Sequence, residues 1–224
     1  MPLHHYIFYF MMGIEVLLLI PFTLNYKLFN KEQRIIYLYA IHSAALSIGA
    51  EVLARIFRHN LAWHAVMFLV AFYLLSWFFI TVIKKPLTRK IIAWMVPVVT
   101  LAFIIDFFWI SGPRGFSSIF VSFRTFVLIV YGILFFIQLV RDNSLIERSI
   151  YITSIPEFWF NSGVFVYQCC NFILYLSFNF LLRDEPGPEI INLFRITQGL
   201  GWIAGIIQVI VFYIGLQKIK RARS

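Results

Sequence analysis

The chain has 224 residues, of which 61% are hydrophobic and only 13% are charged, and its formal net charge is +9. These proportions exclude an ordinary soluble domain, because most of the chain has no polar surface to offer to water. They indicate a protein that folds among membrane lipids, where the basic excess favours anionic headgroups and does not indicate a nucleic-acid partner.

Seven apolar segments follow one another along the chain, and each is long enough to cross about 30 Å of hydrocarbon as an α-helix. No loop between them is long enough to fold separately. We therefore predict an all-α polytopic bundle in which residues 1–224 form one transmembrane domain. The predicted spans are 6–24, 35–57, 62–83, 91–110, 117–140, 158–182 and 195–217.

The first span has no Lys or Arg before it and no small-residue cleavage site after it, so we expect it to be retained and not removed as a signal peptide. Thirteen basic residues fall in the loops and tail of one side, and five fall at the other, among them Arg55 and Arg195 near span ends. The positive-inside rule therefore predicts an outer N-terminus and a cytoplasmic C-terminus.

Five charged residues lie inside the predicted spans: Glu15 in the first, Glu51 and Arg55 in the second, Asp106 in the fourth and Arg124 in the fifth. A helical rise of about 1.5 Å per residue places all of them in the outer half of the bilayer. A charge in hydrocarbon is costly, so it normally faces the bundle interior and finds a partner there. This layer predicts a polar pocket for a ligand or an ion.

Structural pairing within this layer is the alternative to a pocket. Glu51 and Arg55 have the i,i+4 spacing of an ion pair along one helix face. Asp106 and Arg124 lie on successive spans joined by a short turn, where they would form a salt bridge. Three acids face two bases, which leaves Glu15 without a base. A desolvated lone carboxyl tends to take up a proton, and it would suit a proton-linked step or a cationic ligand.

Amide side chains extend the predicted pocket into the last two spans. Gln168 and Asn171 lie in the sixth span, and Gln198 lies in the seventh. The alternative is that these amides join neighbouring helices by hydrogen bonds, which is their common role in membranes. The predicted ligand-binding set therefore comprises the five charged residues and these three amides.

The sequence contains no catalytic or metal-binding constellation. His42 lies deep in the second span and His64 lies near the outer edge of the third, too far apart to share a zinc ion or a haem. The adjacent Cys169 and Cys170 point in different directions and lack the spacing of a metal or redox motif. No phosphate-binding or nucleophile motif is present. We predict no enzymatic activity, no cofactor and no metal site.

The seven spans, the outer N-terminus, the sequence Pro156-Glu157-Phe158-Trp159-Phe160 at the entry to the sixth span and the short basic tail resemble small bacterial seven-helix membrane proteins associated with sensor histidine kinases. The resemblance covers the architecture of the whole chain. It implies a multi-pass protein of the bacterial inner membrane with a sensing or accessory role. It also implies a separate signalling partner such as a histidine kinase, because the chain has no kinase module of its own.

Two functions are therefore expected from different classes. In the first, a small-molecule ligand or a proton perturbs the charged layer of a receptor-like or accessory sensor, and the inner loops transmit the change. In the second, a small proton- or ion-linked transporter uses the same pocket, which the unpaired acid and a possible repeat of residues 33–37 at 147–151 favour. The charged path does not continue into the inner half, and this favours the sensor.

Overall fold

The computed structural model describes residues 3–147, 151–181 and 187–223, and every regular element in these ranges is helical. Seven helices are long, and α6 is a short helix between two of them. Their bounds are α1 Leu3–Leu24, α2 Lys31–Phe57, α3 Leu61–Val82, α4 Pro86–Ile105, α5 Ser118–Val140, α6 Asn143–Glu147, α7 Pro156–Leu181 and α8 Pro188–Arg223. The predicted all-α fold is confirmed, and a long helix corresponds to each of the seven predicted spans.

Six helices in these described ranges are long and apolar enough to cross a membrane, namely α1 to α5 and α8. The chain is thus a multi-pass membrane protein, as predicted. The remaining long helix, α7, corresponds to the predicted sixth span and has 26 residues. It carries the amides Asn161, Gln168 and Asn171 and is not among the six.

The long helices form a ring with one helix outside it. Each helix in the order α1, α2, α3, α5, α7 and α8 packs against the next, and α8 packs back against α1. Helix α4 lies outside this ring, against α3 and α5. Small residues allow close helix approach: a Cβ added at Gly163 of α7 would lie 2.9 Å from the Cε1 atom of Phe212 on α8.

Local sequence rules explain several helix ends. Helix α2 begins with a capping box, in which the Asn30 side chain accepts from the Gln33 N–H at 2.9 Å and the Gln33 side chain accepts from the Asn30 N–H at 3.1 Å. Arg58 ends this helix in a left-handed conformation, with φ of 54°. Helix α4 begins at Pro86, where the missing N–H has no intrahelical role. It continues into a π-helical turn, Asp106–Ile110.

The interior of the ring differs between its two ends. We call the end with the start of α1 and the α2–α3 connection the N-terminal end, and the other the opposite end. The opposite end is closed by buried rings: that of Phe160 lies 6.2 Å from that of Phe22 and 5.6 Å from that of Phe212. These three residues are named the aromatic plug. At the N-terminal end, the helices instead enclose a cavity.

Candidate functional site

The cavity at the N-terminal end has a volume of about 520 Å³ and is partly open. It lies between α1, α2, α3, α7 and α8, and this volume is within the range of pockets that bind small organic molecules. Much of its wall is aromatic. The aromatic residues include Phe8, Phe68, Tyr167, Tyr175 and Trp202. Such a wall favours a ligand with a substantial apolar body.

Three of the predicted site residues line this cavity: Glu51, Asn171 and Gln198. The Asn171 side chain also donates to the carbonyl oxygen of Tyr167 at 2.9 Å. Its Oδ1 atom faces Gly201 of α8, where there is no room for a Cβ. Asn171 therefore lies at the close contact between α7 and α8 as well as on the cavity wall.

Glu51 and Arg55 form the predicted i,i+4 ion pair, with 2.6 Å between Arg55 Nε and Glu51 Oε1. Tyr9 of α1 joins them, because its hydroxyl donates to Glu51 Oε1 at 2.7 Å and accepts from Arg55 Nη2 at 3.0 Å. The side chain of Arg55 is 68% exposed. The three residues thus link α1 to α2 at the rim of the cavity, and an ion pair this exposed adds little stability.

Glu15 is buried one residue behind the cavity wall. Its two carboxylate oxygens accept from the hydroxyls of Ser43 at 2.7 Å and Ser47 at 2.8 Å, and Ser47 itself lines the cavity. Within the described ranges, no basic group lies within salt-bridge distance of Glu15. A second cavity of only about 20 Å³ lies beside it, bounded also by Tyr39 and Gln208. Polar groups therefore continue a short way below the main cavity.

Asp106 lies away from the cavity, because α4 is outside the ring. Its Oδ1 atom accepts from the Ser111 hydroxyl at 2.6 Å, and its Oδ2 atom accepts from the Phe120 N–H at 2.7 Å. That N–H is in the first turn of α5, where it has no acceptor within its own helix. Asp106 therefore caps α5 from the neighbouring helix. The salt bridge between Asp106 and Arg124, which was the structural alternative to a pocket, is not among the ion pairs of the described ranges.

Arg124 is the largest fully buried side chain in the described part of the chain, with 1% exposure. Its Nη1 atom donates to the carbonyl oxygen of Phe68 at 3.3 Å, and its Cζ atom lies 4.7 Å from the centroid of the Phe68 ring. Its Nε atom has no hydrogen-bond partner. Tyr167 and Tyr175 lie within electrostatic reach of the guanidinium. Since Phe68 and both tyrosines line the cavity, Arg124 lies one side chain behind its wall.

The remaining predicted residue, Gln168, is buried but is not part of the cavity wall, and its Oε1 atom has no hydrogen-bond partner. Sequence reasoning did not assign Tyr167, Tyr175 or His64 to the pocket, although all three line it. The two tyrosines had a detectable signal: residues 167, 171 and 175 are spaced by four, which places them on one helix face.

No group of three or more His, Cys, Asp or Glu residues in the described ranges is arranged to hold a metal ion. In comparisons with known proteins, no family model, curated protein or solved structure matches the chain. A functional assignment therefore depends on the geometry of the cavity.

Proposed function

We propose that the protein is a receptor-like or accessory sensor of the bacterial inner membrane that binds a small molecule in the N-terminal cavity and signals through a separate partner. The observation that carries the proposal is the cavity itself, whose wall is shared by five helices. A ligand that touches five helices is able to change their spacing, and it shifts the protein towards the conformation it binds best. The positive-inside rule predicts that the N-terminal end, and with it the cavity, faces the outer side of the membrane.

The closed opposite end favours a sensor over a transporter. A transporter needs a site that is reached from both sides of the membrane in turn. Below Tyr39 and Gln208, the aromatic plug fills the interior, and the Phe160 ring packs edge to face against that of Phe212. Opening this end requires separation of a packed aromatic core, whereas transmission of a signal requires only that whole helices shift.

A contact at the opposite end offers a route for that signal. Helices α2 and α7 both line the cavity, and they meet again where Glu157 Oε1 accepts from Gln33 Nε2 at 3.1 Å and from Asn30 Nδ2 at 3.4 Å. Because a helix moves largely as a rigid element, a change in helix spacing at the cavity reaches this contact.

Exposed basic residues surround the opposite end and provide a surface for a partner. They include Lys27, Lys31, Arg34, Lys85 and Arg89. A cluster of positive charges attracts anionic headgroups or an acidic surface on a protein such as a histidine kinase. A shift of α2 would move this surface and change what it binds.

Filling the cavity tests the proposal. Ala50 lines the cavity and is buried, whereas Ala45 on the same helix is exposed. We expect compounds from a small-molecule panel to raise the melting temperature of the wild type and of Ala45→Phe in lipid nanodiscs, but not that of Ala50→Phe. At a ligand concentration 100 times Kd, the stabilisation should be about 2.7 kcal/mol. Equal stabilisation of both variants would contradict the assignment.

A small proton- or ion-linked transporter is the second candidate, and one observation favours it. Polar groups continue below the cavity through Ser47 and Glu15 towards Tyr39 and Gln208, which are themselves joined by a hydrogen bond of 3.4 Å. In proteoliposomes with an imposed pH gradient, the sensor proposal expects no flux of protons or panel compounds. Flux of protons or a panel compound in the wild type that disappears in Glu15→Gln would refute the sensor proposal and support the transporter.

A further inference from the structure

The charges inside the bundle are not satisfied equally. Each oxygen of Glu15 has a serine donor, Glu51 is bound to Arg55, and each oxygen of Asp106 has a donor. Arg124 differs, because it is fully buried, makes one long hydrogen bond to a carbonyl and leaves its Nε atom without an acceptor. No carboxylate within the described ranges forms a salt bridge with it. Among these buried charged groups of the described ranges, Arg124 is therefore the one that keeps a polar atom without a partner.

This positive charge lies against the cavity. The Phe68 ring, which covers the guanidinium at 4.7 Å, belongs to the cavity wall, and so do Tyr167 and Tyr175 beside it. An isolated charge in hydrocarbon is costly, and only its surroundings or a ligand offset that cost. In a medium of low dielectric constant, the attraction of such a charge extends well beyond direct contact.

We propose that the ligand of the cavity is an amphipathic organic anion, with one negatively charged head group on an apolar body. This inference rests on the proposed function, because it names the ligand class for the same cavity. The Tyr167 hydroxyl donates to that of Tyr175, so the head group accepts its hydrogen bond from the Tyr175 hydroxyl, while Arg124 supplies the compensating charge from behind the wall. The apolar body lies against Phe8 and Trp202, which line the α1 and α8 sides.

A cationic ligand fits this geometry less well. In the described part of the chain, one acid lines the cavity, Glu51, and it is already bound to Arg55 and Tyr9. Glu15 lies behind Ser47 and already accepts two hydrogen bonds. A cation would therefore find the acids at and behind the wall already hydrogen-bonded, and it would be repelled by Arg124. The earlier expectation of a cationic ligand depended on Glu15 being the charge without a partner.

Matched pairs of acids and amides test the inference in the full-length protein. The probes are benzoate with benzamide, 2-naphthaleneacetate with 2-naphthaleneacetamide, and decanoate with decanamide, measured at neutral pH in nanodiscs of zwitterionic lipid. Kd is obtained from tryptophan fluorescence and from the shift in melting temperature. For a head group about 8 Å from Arg124 and an effective dielectric constant of about 20, the acid should bind roughly thirty-fold more tightly than its amide.

Arg124→Gln should abolish this preference and leave amide binding unchanged, whereas Arg114→Gln should keep the preference. Arg114 is the matched control because it is an exposed arginine at the same end. If Arg124→Gln does not fold, Tyr175→Phe replaces it; this variant keeps the ring, loses one donor and should weaken acid binding about tenfold.

The outcomes separate the anion inference from the receptor proposal. Amides that bind as tightly as their acids would overturn the anion inference and leave the receptor proposal standing. A preference for the acid that stays as large as in the wild type in both Arg124→Gln and Tyr175→Phe would also overturn the inference. Failure of acids, amides and the wider panel to bind at all would overturn both.

Discussion

Substitution of Asp106 distinguishes a helix cap from a buried ion pair, because asparagine preserves only the former. An Asn side chain at this position still accepts from the Phe120 N–H through its oxygen, and it donates to the Ser111 hydroxyl through its nitrogen. Hydrogen bonds to a charged group contribute about 1.5–3 kcal/mol and neutral ones about 0.5–1.5 kcal/mol. Asp106→Asn should therefore lower the free energy of unfolding by about 1–2 kcal/mol.

Alanine at the same position removes both acceptors and leaves the buried Phe120 N–H unsatisfied. We expect Asp106→Ala to cost about 4 kcal/mol, roughly twice the cost of Asp106→Asn or more. If Asp106 instead neutralised Arg124, either substitution would strand a buried charge, and both would cost about 3–5 kcal/mol. The ratio between the two variants therefore separates the roles.

Equilibrium unfolding in mixed micelles, followed by circular dichroism as the fraction of denaturing detergent rises, measures these differences. Ser111→Ala is the control and should cost about 1 kcal/mol, since it removes one partner of Asp106. Because α4 lies outside the ring, ligand affinity should stay within about twofold in every variant. Equal costs for Asp106→Asn and Asp106→Ala, together with non-additivity between Asp106→Asn and Arg124→Gln, would refute the cap.

Four further substitutions test packing and polar contacts. Ser47→Ala removes one donor of Glu15 and should cost about 1 kcal/mol, with less than additive loss when combined with Glu15→Gln in a double-mutant cycle. Glu157→Ala should leave ligand affinity unchanged but reduce the ligand-induced change in the α2–α7 distance, measured between spin labels at the opposite end. Gly163→Ala overpacks the contact with α8 and should lower stability by about 1–3 kcal/mol. Gly13→Ala, which has nothing within 4 Å of the added Cβ, should be neutral or slightly stabilising.

The long helices were predictable from the sequence, and six of them have the length and composition of membrane spans in the described part of the chain. A membrane requires long apolar helices, so their length and composition identify them. The pairing of Glu51 with Arg55 was also predictable, because both residues lie on one helix face at i,i+4. A fixed rise per residue correctly brings Glu51 near the α2–α3 connection at the N-terminal end.

The partners of the other charges were not predictable, because depth along a helix says nothing about which helices are neighbours. Asp106 and Arg124 are at similar predicted depths, but α4 packs outside the ring and the π-helical turn begins at Asp106 itself. The carboxylate therefore meets the first turn of α5, while Arg124 turns towards Phe68 of α3. The order of the helices around the ring depends on tertiary packing. Counting acids and bases in the sequence therefore could not show which charged residues would meet.

The length of α8 places its basic residues far from the part of the helix that lines the cavity. Its 36 residues extend about 54 Å, well beyond about 30 Å of hydrocarbon. Gln198 and Gly201 of this helix line the cavity, and the basic residues Lys218, Lys220 and Arg221 lie about 30 Å further along it. A tilt of about 10° at the cavity would therefore carry these charges about 5 Å sideways, because they lie far along α8 from the proposed ligand site.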